Sequence, residues 1–421
     1  MRSVEIEYGS DILSLNLPGS AVGFVLEPHP TKAIEDPYGH ILQALRDPVG
    51  GLRLESIAAS AKDVVILVDD YTRPTPAGLL AGSLLDELDA LGVPDQRVRI
   101  LVASGSHRAM TQKEKIAKLG SNVLQRVEVL DHDDLDYESG LVLLGRGRAG
   151  FDYWVNRHAA QADVVIALGN IVPHYPTGWS GGAKMVLPGI AGRQTIGAFH
   201  LLGAEHPAFG RLQSVCRDEM NQCASQLGLR FIVNTVLNRE GRIVHVAAGH
   251  AVDAHRAGVE QAVETLGVAF EARTPTTIAT PYPFDSDLFQ ADKGLFSAAA
   301  CTESGGEILL VSPLWEGLAP THGEVASLAA LSNEEIHAKL ARGEVTDRCS
   351  AAEALYLNNI KQEFRVTLVT TGLSREETHR LGFGYVRPED LEGAIVKRIA
   401  AGRGPIGIVR NAAEILPCCK E

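Results

Sequence analysis

Short apolar runs alternate along this chain with stretches that have helical periodicity. The segments DVVILVDD and RVRILVASGSHR each predict a buried strand that ends in polar residues. Between them, PAGLLAGSLLDELDALG carries apolar residues at the three- and four-residue spacing of a helix that packs on a core. Thr111 and Ser332 each stand three residues before a glutamate, a capping-box pattern that predicts two further helix starts. The alternation of strands and helices favours an α/β fold with mostly parallel sheets.

The same alternation resumes in the last third of the chain. TTIATPYP and EILLVSPL predict two strands with a helix between them. The polar segment over residues 271–277 contains a proline and separates this part from the preceding one. We therefore predict two α/β domains, residues 1–272 and residues 273–421, with the last helix as a candidate to pack back on the first domain.

The chain is acidic, with a formal net charge of −13 at pH 7 over 421 residues. This charge disfavours nucleic-acid backbones and anionic membranes as partners, although a small anion can still bind in a locally basic pocket. The sequence shows no signal-peptide core and no apolar run of about 18 residues, so we expect a cytoplasmic protein. The six cysteines form no C-x-x-C pair, which argues against a disulfide framework and a cysteine metal cluster.

Polar residues follow the predicted strands at their carboxyl ends, where open α/β sheets bind their ligands. In DDYTRPTP, Asp70 and Arg73 are suited to a ligand's hydroxyl and its phosphate or carboxylate. The alternative is a proline-rich turn with an internal Asp–Arg pair. SGSHR and GNIVPH place His107 and His174 in the same context, either as general bases or as hydrogen-bonding residues of a turn.

A lysine and a histidine flank a glycine-rich stretch. Lys184 ends SGGAK, which lacks the Gly-Lys-Ser/Thr order of a phosphate-binding Walker loop. It is either a solvated surface charge or a partly desolvated amine able to act as a nucleophile or an attachment point. His200, in AFHLLG, is either a core histidine or a metal ligand. As a lone histidine it needs further ligands from elsewhere.

Two further motifs have competing interpretations. FQADKG places Gln290 and Lys293 on one face of a helix start, where they form either a carboxylate site or a solvated end. GRGRAG, residues 145–150, satisfies the G-x-G-x-x-G pattern of a dinucleotide site, but it carries two arginines within the turn. Asp163, the acidic residue near the expected distance, precedes a strand instead of ending one.

Together these motifs, in this order over residues 69–293, resemble the nickel-dependent lactate racemase family. The resemblance implies a nickel-pincer nucleotide, a nicotinic-acid derivative that holds nickel through two thio-acid sulfurs and a pyridinium carbon. It further implies covalent attachment of that cofactor at Lys184, with His200 as a nickel ligand. The glycines before Lys184 would then leave room for the flat cofactor ring. Asp70, Thr72 and Arg73 would bind the cofactor nucleotide. Proteins that synthesise the cofactor are then implied as partners.

The activity implied by the resemblance is a racemase or epimerase that inverts C2 of a 2-hydroxy acid by proton-coupled hydride transfer through a transient 2-keto acid. His107 and His174 would be the two bases, in a cleft between the domains. Three residues are implied to contact the substrate carboxylate and two to shape its pocket: Arg73, Gln290 and Lys293, then Trp179 and Phe289. The group on C2 stays open among a methyl, a second carboxylate, an aryl ring and a sugar-acid chain.

Two alternative functions stay open at this point. One is an NAD-dependent 2-hydroxy-acid dehydrogenase that uses His174 as its acid and base, with GRGRAG as its only fingerprint. The other is a non-catalytic protein that binds or carries the nickel cofactor. A carrier does not need a pair of bases, so the presence of both histidines favours the racemase.

Overall fold

A computed structural model describes residues 2–420 of the chain. Its strands are β1 (Arg2–Tyr8), β2 (Asp11–Leu17), β3 (Val22–Leu26), β4 (Val64–Val68), β5 (Val98–Val102), β6 (Glu128–Asp131), β7 (Leu141–Arg146), β8 (Asp152–Asn156), β9 (Val164–Asn170), β10 (Pro173–His174), β11 (Gly178–Trp179), β12 (Leu229–Leu237), β13 (Ile243–His250), β14 (Gly267–Phe270), β15 (Thr274–Ala279), β16 (Thr302–Val311), β17 (Arg365–Val369), β18 (Gly384–Val386), β19 (Ile406–Val409) and β20 (Leu416–Cys419).

Its helices are α1 (Pro37–Arg46), α2 (Leu54–Ala58), α3 (Ala77–Ala90), α4 (Gln112–Arg126), α5 (Arg157–Gln161), α6 (Arg193–Glu205), α7 (Val215–Leu227), α8 (Asp253–Leu266), α9 (Leu288–Ala291), α10 (Lys293–Cys301), α11 (Val325–Leu328), α12 (Asn333–Ala341), α13 (Arg348–Glu363), α14 (Arg375–Arg380) and α15 (Leu391–Ala400). Within residues 2–420, none of these helices is long and apolar enough to cross a membrane.

The chain divides into two compact units, which we call the central unit, Pro30–Thr265, and the terminal unit, residues 2–29 with 266–420. This division differs from the predicted one because the first 29 residues join the later part of the chain. The reason is strand pairing, since β3 lies parallel to β19 at the edge of the terminal sheet. No local pattern in the sequence indicates such a distant partner.

The central unit contains a six-stranded sheet in the order β13-β12-β9-β4-β5-β6. All neighbours are parallel except β12 and β13, which are antiparallel. Every residue of β4 and of β9 is buried, as is usual for parallel strands covered on both faces. The predicted α/β class with mostly parallel sheets is therefore confirmed.

The terminal unit contains a second six-stranded sheet, β18-β17-β16-β15-β19-β3, in which all neighbours are parallel. The β1–β2 hairpin packs on it and contributes Val4, Ile6, Leu15 and Leu17 to its core. The last helix, α15, packs against β2 in this same unit. Residues near both chain ends thus build one core.

The GRGRAG motif does not form a dinucleotide site. Residues 145–150 belong to the end of β7 and to the turn that leads into β8, and these two strands pair antiparallel. The turn is closed by a hydrogen bond from the Gly147 N–H to the Phe151 carbonyl, 2.9 Å. A dinucleotide fingerprint needs a strand followed by a helix whose N-terminus faces the pyrophosphate, and a hairpin does not provide one.

Candidate active site

Three neighbouring parallel strands bring the predicted site loops of the central unit to one edge. The strands β9, β4 and β5 lie side by side in that order. Because they are parallel, the residues after Val68, Val102 and Asn170 all leave the sheet at its carboxyl edge. Asp70, His107 and His174 therefore start from the same edge of the sheet.

Asp70 and His107 form a buried pair. The Asp70 Oδ2 atom lies 2.6 Å from His107 Nδ1, and the carboxylate is 2% exposed. Its Oδ1 accepts from the Thr72 N–H at 3.0 Å and from the Thr72 hydroxyl at 2.5 Å. Burial raises the pKa of Asp70, but the charge and hydrogen bond of His107, with Arg73 and Thr72, lower that pKa below its ordinary value overall. An ionised carboxylate only accepts, so Nδ1 donates and Nε2 is the nitrogen that can take a proton.

Thr72, Arg73 and Lys118 hold the loop after β4. The Arg73 guanidinium donates to the Thr72 hydroxyl at 2.8 Å, and the Arg73 carbonyl accepts from the Lys118 ammonium at 2.7 Å. Lys118 also forms an ion pair of 2.6 Å with Asp69, which accepts from the Thr75 hydroxyl. Asp70 and Arg73 are thus linked through Thr72, and the loop presents a guanidinium that is half-buried.

His174 is held in a similar way by a hydroxyl group. Its Nδ1 lies 3.0 Å from Thr177 Oγ1, and the same hydroxyl donates to the Trp179 carbonyl at 2.9 Å. A threonine hydroxyl has a single proton, so Oγ1 accepts from Nδ1–H. This arrangement selects the tautomer in which Nε2 of His174 carries the basic lone pair. Both histidines are therefore oriented through Nδ1.

Lys184 lies on a short 3-10 turn, Gly182–Met185, and its side chain is half-buried. Gly181 and Gly182 have φ angles of 75° and 58°, the left-handed region that favours glycine. A Cβ atom on Gly181 would lie 2.8 Å from Asn234 Oδ1, and one on Gly182 would lie 3.0 Å from the His255 ring. Glycine is therefore required at both positions by the backbone conformation and by the close packing against Asn234 and His255. This role differs from the expected one, which was to leave room for a ring.

Three buried residues that the sequence analysis missed support this turn. Asn234 accepts the Gly182 N–H at 2.8 Å, and the His255 ring contacts the Ser180 carbonyl at 2.8 Å. Arg217, 5% exposed, donates to the carbonyls of Trp179 and Gly181. A polar Asn234 inside the apolar run RFIVNTVL was the one signal that the sequence offered, since buried strands rarely keep an amide without a partner.

Burial changes the titration of two of these groups. It lowers the pKa of Arg217 to about 9. Burial, followed by the charge of Arg217, lowers the pKa of His255 well below its ordinary value. A neutral His255 donates its Nε2–H to the Ser180 carbonyl. His255 and Arg217 therefore both donate hydrogen bonds to backbone carbonyls just before Lys184 and hold the turn in place.

A backbone hydrogen bond connects the two loops that carry His107 and Lys184. The Gly105 N–H donates to the Gly189 carbonyl at 2.8 Å. Gly105 has a φ of 58°, and the loop is further closed by the His107 N–H, which donates to the Ser104 carbonyl at 3.0 Å. The SGSHR loop is therefore hydrogen-bonded directly to the segment that follows Lys184.

His200 lies on α6, is half-buried, and its ring meets that of Phe199 edge-on at 5.8 Å between centroids. Among residues 2–420, one group of three His, Cys, Asp or Glu side chains has ligand atoms that all lie within 4.8 Å of one another, namely His322, Asp347 and Cys349 in the terminal unit. The Asp347 carboxylate there already accepts from the Cys349 N–H and the Ser350 hydroxyl as the cap of α13. His200 belongs to no such group among residues 2–420, so a metal there would fit best with a cofactor that brings ligands of its own.

The residues predicted to bind the substrate are divided between the two units. Gln290 and Lys293 are in the terminal unit, where the lysine ammonium donates to Gln290 Oε1 at 2.9 Å. The Phe289 ring stacks on that of His322 at 4.7 Å between centroids. Trp179 is 1% exposed in the central unit, and its indole N–H donates to the Gly210 carbonyl at 3.0 Å.

The chain is similar to known proteins over most of its length. Residues 8–210 match the family model of the lactate racemase N-terminal domain. The chain is 33% identical over 325 residues to a lactate racemase of Thermoanaerobacterium thermosaccharolyticum, covering 75% of this chain and 76% of that enzyme. It is 35% identical over 281 residues to a lactate racemase of Lactiplantibacillus plantarum, covering 65% of this chain and 66% of that enzyme.

Solved structures show the same likeness. The lactate racemase apoprotein from Thermoanaerobacterium thermosaccharolyticum matches 99% of this chain and 100% of its own, with a TM-score of 0.87 and 27% identity. A crystal structure of a protein from Thermotoga maritima matches 91% of this chain and 98% of its own, with a TM-score of 0.72 and 20% identity. The second likeness concerns the fold alone.

Proposed function

Because the chain belongs to the lactate racemase family and is an isomerase of that family, we propose that it inverts C2 of a 2-hydroxy carboxylic acid through a transient 2-keto acid. The observation that carries this proposal is the pair of histidines at one sheet edge, each oriented through Nδ1. Inversion needs a group on each side of the substrate that can take the hydroxyl proton and return it. Nε2 of His107 and Nε2 of His174 are these groups.

The proposed cofactor is a nickel-pincer nucleotide, which supplies an acceptor and donor for the C2 hydride when it is bound. Lys184 is the proposed covalent attachment point and His200 the nickel ligand. Thr72 and Arg73, with Asp70, hold the nucleotide, and the half-buried guanidinium suits its phosphate. Proteins that make and load the cofactor are the corresponding partners, and a cytoplasmic location stays a prediction.

The chain's own residues bind the substrate and move its proton. Gln290 and Lys293, with Arg73, are proposed to bind the substrate carboxylate, while Trp179 and Phe289 border its C2 substituent. His107 takes the hydroxyl proton of one enantiomer through Nε2, with the ionised Asp70 stabilising the resulting imidazolium. His174, protonated at Nε2 before this step, gives that proton to the oxygen on the other face, and the Thr177 hydroxyl keeps its ring in place.

The two alternative functions are less well supported. The dehydrogenase relied on GRGRAG, which lies in a β-hairpin. The carrier protein predicts cofactor binding without inversion, and it gives no reason for a buried carboxylate that orients a histidine at the sheet edge.

The test is a chiral assay on protein produced together with the cofactor-synthesis proteins. We expect one pure enantiomer of at least one 2-hydroxy acid in a panel of alkyl, aryl, dicarboxylic and sugar acids to become a mixture of both, without added NAD. His107→Ala and His174→Ala should each abolish inversion and keep bound nickel. Accumulation of the 2-keto acid with reduction of added NAD would instead support the dehydrogenase.

Mass spectrometry of the same preparation tests the attachment point. We expect a covalent mass on the peptide that contains Lys184, and its loss together with nickel in Lys184→Ala. Lys62→Ala, which removes an exposed lysine of the same unit, should keep both. An active enzyme with unmodified Lys184 would contradict the proposed attachment.

A further inference from the structure

Lys293 stands among three buried carboxyl groups in the terminal unit. Asp287 and Asp292 are each 4% exposed, and Glu353 is 3% exposed. Asp292 directly precedes α10, which begins with Lys293, and α13, which carries Glu353, packs against α10. Buried carboxyl groups are rare unless they are paired, and one ammonium cannot balance three ionised carboxylates.

The hydrogen bonds separate Asp287 from the other two acids. Asp287 caps α9, since its Oδ1 accepts the Gln290 N–H at 3.1 Å and its Oδ2 accepts the Ser286 hydroxyl at 2.7 Å. These donors stabilise an ionised carboxylate. Glu353 Oε1, in contrast, is buried and has no hydrogen-bond partner among residues 2–420. An ionised oxygen without a donor at such a place is costly, so Glu353 is expected to keep its proton.

The electrostatics of the cluster agree with this assignment. Burial raises the pKa of Asp292 to about 7, opposed by Lys293 and assisted by Asp287. Burial also raises the pKa of Glu353 well above its ordinary value, with a further contribution from the charge of Asp292. The charges of Lys293 and Asp287 act on both acids, and the charge of Asp292 acts on Glu353.

We propose that Asp292 and Glu353 are positioning residues that hold protons beside Lys293, so that binding of a substrate carboxylate there is coupled to proton uptake by this pair. The inference rests on the proposed role of Lys293 in binding the substrate carboxylate. When both acids are neutral, the ammonium keeps its attraction for an anion. When Asp292 is ionised, it already neutralises the ammonium, and an incoming carboxylate is repelled.

The sign of the pH dependence follows from this coupling. A bound carboxylate adds negative charge beside Asp292 and raises its pKa further, so the complex binds more protons than the free protein above pH about 7. By linkage, KM should be constant below that pH and rise above it, up to about tenfold per pH unit for uptake of one proton. The kcat value should change much less.

Variants of the cofactor-loaded enzyme test the coupling. In Asp292→Asn the rise in KM that starts near pH 7 should be lost or displaced, because Glu353 then titrates without the charge of Asp292 beside it. In the double variant Asp292→Asn with Glu353→Gln the rise above pH about 7 should disappear, since both amides mimic the protonated acids. Glu363→Gln, an exposed position on the same helix, should keep the profile of the unmodified enzyme. A KM independent of pH, or a double variant that keeps the rise, overturns the proposal.

Infrared spectroscopy of the folded protein gives a second measurement that does not depend on activity. At pH about 6, a protonated-carboxyl stretching band should be present and should lose intensity in Asp292→Asn and in Glu353→Gln. A spectrum without contributions from either residue overturns the proposal. If the loaded enzyme inverts no acid in the panel, the proposed function fails. If it inverts one and Lys293→Ala leaves KM unchanged, only the role of Lys293 and the coupling fail.

Discussion

At the scale of single residues, the central feature of this protein is that its two candidate bases are held differently. His107 is paired with a buried carboxylate at 2.6 Å, while His174 is paired with a neutral hydroxyl at 3.0 Å. A carboxylate stabilises an imidazolium much more strongly than a hydroxyl does. The two imidazoles are therefore oriented by chemically different groups, and they exchange the roles of base and acid between the forward and the reverse inversion.

This difference leads to a prediction for Asp70→Asn. The amide leaves the shape of the pair nearly intact, but it removes the negative charge and can donate to Nδ1, which favours the wrong tautomer of His107. We expect the inversion rate to fall by about 10²–10⁴-fold, mostly in kcat. The rate is measured by chiral chromatography of loaded enzyme with equal nickel content.

The matched control for Asp70→Asn is Asp89→Asn, which changes an exposed carboxyl on α3 of the same unit. It should keep the unmodified rate. If Asp70→Asn also kept that rate, Asp70 would not act through His107, and its importance would lie in the loop after β4 alone.

The candidate residues themselves could be found in the sequence, but their pairing could not. Asp70 and His107 are 37 positions apart, and they meet because β4 and β5 are neighbours in a parallel sheet. Arg217 gave no signal, because a single arginine within the helical segment VCRDEMNQCASQL is typical of a solvated surface. Its burial depends on carbonyl groups of a turn that lies nearly 40 positions earlier.

At the scale of elements, the strands and capped helices were predictable because their signals are local. The patterns at Thr111 and Ser332 both form complete capping boxes, at the starts of α4 and α12. The helix α13 was missed for a physical reason. It is buried over most of its surface, including Glu353 and Asn358, so its apolar residues form no single stripe.

The turn before Lys184 supports a prediction about Gly182→Ala. The φ of 58° is unfavourable for alanine, and the new Cβ would lie 3.0 Å from the His255 ring. We expect a loss of about 1–3 kcal/mol in the free energy of unfolding, measured by urea denaturation. The fraction of protein that carries the covalent modification at Lys184 should also decrease, because the turn that presents the amine is displaced.

Gly393→Ala is the control for this substitution. Gly393 lies inside α15, and a Cβ atom there would meet nothing within 4 Å. Alanine favours a helix over glycine, so the free energy of unfolding should rise by about 0.5–1 kcal/mol. Equal effects of the two substitutions would show that neither the left-handed φ nor the contact with His255 matters.

In the whole molecule, residues that are distant in the sequence belong to the same compact unit. The central unit is one continuous segment with its own core, built from β4, β5 and β9 together with α1 and α3. The terminal unit needs both ends of the chain, since β3 pairs with β19 and the β1–β2 hairpin covers the sheet. A division by linker composition could not reveal this, because strand pairing over nearly 400 residues leaves no local pattern.

Separate fragments should behave according to this arrangement. A fragment of residues 30–265 should unfold cooperatively on its own, whereas residues 266–421 without residues 1–29 should not. The second fragment lacks β3, and it lacks four buried side chains of the hairpin, each contributing about 1.5–3 kcal/mol: Val4, Ile6, Leu15 and Leu17. Joining residues 1–29 to residues 266–421 through a flexible linker should restore cooperative unfolding, measured by circular dichroism during heating. If residues 266–421 unfold cooperatively without the first 29 residues, the terminal unit does not depend on the start of the chain for its core.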